Sequence, residues 1–125
     1  MGAFVADAII KKLILANKVV KKSKVVILGI TFKENCPDIR NSKVLDIINE
    51  LKEFGIQIDV YDPVADREEV FHEYNLSLCN SPRPGDYHGV VLAVKHKSFL
   101  NAGVAELKAY GNTDSVFFDL KEVLA

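Results

Sequence analysis

Val25 to Leu28 is an unbroken run of β-branched and aliphatic residues closed by Gly29, and it constrains the fold more than any other stretch. Successive side chains of a strand point to opposite faces, so four consecutive apolar residues require cover on both. That is the condition of a parallel strand inside an α/β sheet. From Gly29 the chain runs to Ser42 before a helical pattern resumes, passing Lys33, Glu34, Asn35, Cys36, Asp38, Arg40 and Asn41. Strand-to-helix connections usually take only about 2–6 residues. A loop this long and this rich in ligand-capable groups is where function is expected.

The flanking patterns extend the scheme. Val5, Ile9, Leu13, Ala16 and Val20 fall at helical spacing within Phe4 to Val20 and predict an amphipathic helix. It precedes the first strand, so it need not belong to the sheet's own core. Ser42 to Phe54 carries Val44, Leu45, Ile47, Ile48, Leu51 and Phe54 on one stripe, with Gly55 as a left-handed stop. Ile56 to Tyr61 alternates as a strand and ends at Asp62-Pro63. A short helix over Asp66 to Tyr74, packed through Val70 and Phe71 or Tyr74, and a short strand over Leu76 to Leu78 come next. Asn80 to Gly89, with two prolines and two glycines, reads as loop. Val90 to Val94 is a second continuous apolar strand. His96 to Tyr110 is helical in pattern although Gly103 weakens it, Gly111 to Asp114 is a turn, and Val116 to Phe118 is the last strand. The alternation predicts an α/β fold, a mostly parallel sheet with helices on both faces in a three-layer sandwich.

With 125 residues, 49% of them hydrophobic and 26% charged, the chain can fill one ordinary core and not two. A formal net charge of -1 gives no general pull toward nucleic acid or a membrane surface. Cys36 and Cys79 match no zinc or redox spacing, and neither a signal peptide nor a spanning run of about 20 apolar residues is present. A cytoplasmic location with reduced thiols is expected. The chain opens without a charged n-region and breaks off just after an apolar strand, so a fragment of a larger protein is expected as well.

Ligands of open parallel sheets bind beyond the carboxyl ends of the strands. Lys33 and Arg40 follow the first strand, Asp62 the second, Lys95 and His96 the Val90 to Val94 strand, and Lys121 the last. That edge favours an anion, most simply a phosphate or pyrophosphate. It offers neither G-x-G-x-x-G nor a P-loop, since Gly29-Ile30-Thr31-Phe32-Lys33-Glu34 holds one glycine. NAD is therefore not expected to be held by this chain alone. Cys36 has no histidine placed near it by sequence, which argues against a nucleophile. His96 reads either as a general base or as a cap or packing residue, and Asp62 either as a ribose acceptor or as a plain turn. The Lys21, Lys22 and Lys24 cluster reads as a phosphate site or as a solvated face favoured by the helix dipole. His72 and His88 read as surface residues.

Gly29-Ile30-Thr31-Phe32-Lys33-Glu34-Asn35 through Pro37-Asp38-Ile39-Arg40-Asn41-Ser42 resembles the C-terminal domain of the UDP-glucose/GDP-mannose dehydrogenase family. Val60-Tyr61-Asp62-Pro63, Ala93-Val94-Lys95-His96 with Phe99, and Phe118-Asp119-Leu120-Lys121 agree in order, and Met1 to Ala6 resembles the end of the family's central helical region. The similarity is greatest to bacterial UDP-N-acetylhexosamine 6-dehydrogenases used in capsule, O-antigen and Vi-type polysaccharide synthesis. It implies a Rossmann-like UDP-binding domain at 23–125, preceded at 1–22 by one helix of the central region. It also implies a parent enzyme that oxidises a UDP-sugar to the uronic acid with NAD, the cofactor being held mainly by an N-terminal domain. No catalytic residue falls in this chain. Phe32, Lys33 and Lys121 are the implied substrate contacts, with Lys33 near the phosphates, and Arg40 reaches toward the cofactor. The implied partners are the UDP-sugar, the N-terminal and central domains, and a second copy in a homodimer. The competing reading is a flavodoxin-like interaction or regulatory module without nucleotide chemistry. It rests on Lys121 following the last strand, and it lacks the acidic pair after the first strand that phospho-receivers need.

Overall fold

The computed structural model describes residues 2–15, 23–31, 39, 44–79, 82–94 and 96–119. In chain order these form α1 (Gly2–Leu15), β1 (Lys24–Leu28), α2 (Val44–Glu53), β2 (Gln57–Tyr61), α3 (Arg67–Tyr74), β3 (Tyr87–Leu92), α4 (Lys97–Ala102), α5 (Val104–Lys108) and β4 (Gly111–Asp119). The strands make one sheet in the order β2-β1-β3-β4, and every pairing is parallel.

The apolar run of β1 does what its composition requires. Val25, Val26, Ile27 and Leu28 are all fully buried, and they divide between the two faces. Val25 and Ile27 enter a core with Ile9 and Leu13 of α1, Ile47, Ile48 and Leu51 of α2, and Val70 of α3. Val26 and Leu28 enter the other, with Phe99 of α4 and Leu107 of α5. The three-layer α/β expectation is borne out. Removing such side chains from water contributes about 1.5–3 kcal/mol each, so this central strand and its two covers are the main source of stability. α1 packs on α2, and its Ile9, Ile10 and Leu13 lie in the same core as β1. The expected continuation of that helix through Ala16 to Val20 lies outside the described residues.

Several boundaries differ from the sequence reading. β3 begins at Tyr87 rather than Val90, because Tyr87 is buried and its hydroxyl donates to Asp59 Oδ2 at 2.7 Å. The expected loop therefore ends three residues early. β3 also stops at Leu92. Ala93 and Val94 both turn their N–H groups onto Leu28 O, at 2.9 and 3.2 Å, which closes the strand end against β1. β4 starts at Gly111, and a register shift against Tyr87 to Gly89 absorbs the expected turn within the strand. The single helix expected from His96 to Tyr110 is two, because Gly103 adopts φ 86 and ψ 155 between them. Leu76 to Leu78 is no strand. Cys79 N–H donates to Val60 O at 2.9 Å, but the Leu78 carbonyl accepts from Arg67 Nη2 at 2.8 Å, so no ladder forms along β2. Phe54, placed on the apolar stripe of α2, is 45% exposed, and of the two alternatives for α3 it is Tyr74 that packs on the core with Val70, Phe71 being 49% exposed. Asp66 caps α3 by accepting from Glu68 and Glu69 N–H, and Asn75 ends it in the left-handed conformation.

Candidate functional site: the carboxyl edge of the sheet

β1 is central, with the chain passing outward to β2 on one side and returning across it to β3 on the other. The place where strand order reverses, between the carboxyl ends of β1 and β3, is where open parallel sheets form their ligand crevice. The geometry there is tightly specified. Gly29 takes φ +101, and a Cβ on it would sit 2.6 Å from Val94 Cβ and 2.9 Å from Val94 N. Only glycine fits both the conformation and the contact. Its N–H donates to Tyr61 O at 2.9 Å, so β1, β2 and β3 are drawn together at this point.

Asp62, the first residue after β2, then takes hold of the chain leaving β1. Its Oδ2 accepts from Ile30 N–H at 2.7 Å and Thr31 N–H at 3.3 Å, and its Oδ1 from Val64 and Ala65 N–H at 2.8 and 3.0 Å. His96, which precedes α4, brings Nε2 to 2.9 Å from Asp62 Oδ2 and to 3.3 Å from Thr31 Oγ1. Asp62, His96 and Thr31 are buried. Burial pushes the Asp62 carboxyl up, but the His96 bond and the amides of Ile30, Ala65 and Val64 outweigh it and hold it below its ordinary value. Asp62 is thus a carboxylate acceptor, which requires the proton on His96 Nε2. Three strand ends are joined through one carboxylate.

This arrangement decides two readings left open by the sequence. Asp62 is a turn former whose oxygens are occupied by backbone amides and His96. His96 is packed at the start of α4, with its ring 5.7 Å from that of Phe99 and its Nε2 on Asp62. Asp62 and His96, expected at the ligand-binding edge, lie there but are both shut from solvent. The signal that could have paired them is an acid and a histidine following two strands that flank β1. Local pattern alone cannot pair them, because both strand neighbours must be known first.

Phe32, Lys33, Cys36, Arg40, Lys95 and Lys121 lie outside the described residues. Their nearest described neighbours are Thr31 on Asp62, Ile39, which is buried and accepts from the Tyr74 hydroxyl, and Asp119 at the end of β4. Lys24 belongs to the opposite, amino edge. Its Nζ lies 2.6 Å from Asp86 and 4.0 Å from Asp59, which favours the solvated-face reading for that residue. His72 is exposed, while His88 is half-buried and accepts the Lys24 backbone N–H at 2.9 Å. Burial raises the pKa of the free, half-buried Cys79 thiol, which keeps it protonated and unreactive. Among the described residues no group of three or more His, Cys, Asp or Glu could hold a metal ion, and no helix is long and apolar enough to cross a membrane. An open groove of about 410 Å³ lined by Arg67, Glu68, Phe71, His72, Ser77 and Leu78 includes none of the carboxyl-edge residues. Gly29, the one glycine where a dinucleotide cradle would begin, is packed on Val94. The described residues therefore do not fit NAD.

Sheet order, switch point and loop position together define a Rossmann-like domain. A family model described as the UDP binding domain of the UDP-glucose/GDP-mannose dehydrogenase family matches residues 26–125, and the chain belongs to that family. It is 42% identical over 124 residues to a UDP-N-acetyl-D-glucosamine 6-dehydrogenase of Pseudomonas aeruginosa, and 39% identical over 124 residues to one of Salmonella typhi. In both comparisons 99% of this chain aligns with 29% of the relative. The Staphylococcus aureus protein CapL is 36% identical over 127 residues, again across 99% of this chain and 29% of that protein. The solved structure of a UDP-D-ManNAc dehydrogenase from Pyrococcus horikoshii superposes with a TM-score of 0.71 at 16% identity, over 94% of this chain and 30% of that one. That likeness supports the fold.

Proposed function

We propose that this chain is the C-terminal, UDP-binding domain of an NAD-dependent UDP-sugar 6-dehydrogenase. The reaction is oxidation of a UDP-N-acetylhexosamine or UDP-glucose to the uronic acid, in the cytoplasm, for surface polysaccharide synthesis. The observation that carries the reading is the 42% identity to a UDP-N-acetyl-D-glucosamine 6-dehydrogenase across 99% of this chain. The chain spans 29% of that relative's length, so NAD and the bond-making groups are assigned to the remainder of such an enzyme, and the working unit is a homodimer. Residues 1–22 are assigned to its central helical region and 23–125 to the UDP-binding domain, a division supported by the family match beginning at residue 26.

Within the domain, Phe32, Lys33 and Lys121 are the substrate contacts and Arg40 faces the cofactor. Support comes from their neighbours. Thr31 follows β1 and Asp119 ends β4 at the carboxyl edge, where such sheets take ligands. A lysine there supplies a charge-assisted contact to the diphosphate. The test is NADH formation by the full-length protein with UDP-N-acetylglucosamine, UDP-N-acetylgalactosamine and UDP-glucose, beside a UDP titration of wild type and Lys33→Ala. Activity on one of these sugars is expected, with kcat/KM falling by the equivalent of about 2–3 kcal/mol in Lys33→Ala. Absence of NADH formation with all three removes the proposal, and unchanged kinetics in the variant removes Lys33 from the site.

A further inference from the structure

We propose that His88 is a proton-sensitive latch, holding the first residue of β1 to β3 while its ring is neutral and releasing it once the ring is charged. The register of β1 on β3 begins with Val25 opposite Gly89. Lys24 lies one residue ahead of that register, and its backbone N–H donates to His88 Nδ1 at 2.9 Å. A side chain thus adds one bond to the amino end of the ladder. An irregularity in the sheet accompanies it, since the β3–β4 register shifts between Tyr87 and Gly89, the residues on either side of His88. Shifts of this kind re-aim the side chain they contain, here toward the neighbouring strand.

A backbone N–H can only donate, so Nδ1 must be bare and the ring proton must sit on Nε2. Protonation puts a hydrogen on Nδ1 as well. Donor then faces donor, and the bond is lost. Histidine is the side chain whose charge ordinarily changes between about pH 5 and 8, so a mild fall in pH is the signal. The titratable groups at this corner are Lys24 of β1, Asp59 of β2, Arg83 and Asp86 ahead of β3, Tyr87 beside His88, and Tyr110 after α5, whose carbonyl accepts from Asp86 and Tyr87 N–H. The Asp86 carboxyl is held below its ordinary value by its bond to Lys24, against partial desolvation, and further by the charges of Lys24, Arg83 and His88. Charged His88 and Lys24 Nζ therefore draw on one carboxylate, which favours the released form of the ring. His72 lies on α3 and His96 at the carboxyl edge, so a change confined to the start of β1 belongs to His88.

The test is amide hydrogen exchange in the full-length protein at about pH 7.5 and about pH 5.5, on either side of the ordinary histidine value, with each rate divided by the intrinsic rate at that pH. Protection at Lys24 is expected to fall at least about threefold at the lower pH, the scale of one net hydrogen bond, while Val26 in the same strand holds steady. His88→Asn places Oδ1 near the position of Nδ1 and does not titrate. It is expected to keep Lys24 protected at both pH values, whereas His88→Leu leaves Lys24 weakly protected at both. A readout that needs no variant is the ¹⁵N spectrum of the wild-type imidazole, which should show the proton of His88 on Nε2 at the higher pH. Lys24 protection that ignores pH in wild type overturns the latch, as does a His88→Asn variant that loses protection in acid just as wild type does. Parallel loss at Val26, which would mean loosening of the whole sheet, or a neutral His88 with its proton on Nδ1, overturns it too.

Discussion

The two ends of the sheet use the same kind of bond in opposite settings. At the carboxyl end, Asp62 and His96 meet at 2.9 Å with neither side chain exposed. At the amino end, Lys24 meets Asp86 at 2.6 Å, with side chains 31% and 40% exposed, while Lys24 also lies over the Tyr87 ring. The exposed contact is the shorter of the two. Distance therefore ranks them wrongly, because water competes for the Lys24 pair and has no access to Asp62. A buried carboxylate must be fully met or it is very costly. An exposed pair gains little and is screened by salt. The amino end can vary at small cost, while the carboxyl end acts as a unit that holds the chain at Ile30 and Thr31.

The strongest way to break this contrast is Asp62→Ala, which removes the acceptor shared by His96 and the amides of Ile30, Thr31, Val64 and Ala65. A loss of about 3–5 kcal/mol is expected in urea unfolding, out of a typical domain stability of about 5–15 kcal/mol. A loss near that of a surface substitution would show that water reaches the site. The same group sets the acid limb. The Asp62 pKa is lowered on folding below its ordinary value, so its contribution is fully present above that ordinary value. It is lost as pH falls through the lower folded value. In Asp62→Ala the fall in stability below about pH 4 is expected to be shallower than in wild type.

Gly29→Ala breaks the same end through the backbone. The added methyl meets Val94 and the residue must hold φ +101, so about 1–3 kcal/mol is expected, read as a drop in the urea midpoint. A neutral result would mean that β1 and β3 can part at their carboxyl ends without cost to the core.

How much of this was legible beforehand follows from which forces are local. β1 was readable because burial on both faces leaves a continuous apolar run, and α2 because Val44, Ile47, Ile48 and Leu51 repeat at helical spacing. The start of β3 was missed because Tyr87 is buried by a hydroxyl bond to Asp59, a residue 28 positions away. Phe71 and Tyr74 stay undecided from sequence because a helix as short as α3 has no room for a clear stripe. Asp62 and His96 were each noticed at the right edge. Their pairing depends on β2 and β3 both flanking β1, which no local pattern states. The loop was singled out by its length and charge, and the family resemblance rather than periodicity supplied the nucleotide.

Tyr74→Phe sharpens the comparison within the carboxyl end, between the anchor at Thr31 and the one at Ile39. It removes one partly buried hydroxyl and leaves the ring packed on the core. About 1 kcal/mol of stability is expected to be lost. Amide exchange at Ile30 should stay near that of wild type, since Asp62 still holds it. Faster exchange there would show that the two anchors open together.

The smallest effect belongs to the amino end. The hydrogen bond to Asp86, opposed by partial desolvation, and the charges of Asp86 and Asp59 raise the Lys24 pKa above its ordinary value. The sign is opposite to that of Asp62. A lysine raised on folding stabilises fully below its unfolded pKa, and the contribution is lost as pH rises through the higher folded value. Lys24→Met keeps the aliphatic length along Tyr87 and removes the charge. A fall in Tm of no more than a few degrees is expected at low ionic strength, shrinking at about 1 M NaCl, where the screening length falls to about 3 Å and an exposed pair is weakened. Asp62→Ala should remain as destabilising in that salt as without it, because no counterion reaches a buried carboxylate. If both variants responded to salt alike, the two ends would differ in degree only, and the carboxyl edge would be open enough for ions to enter.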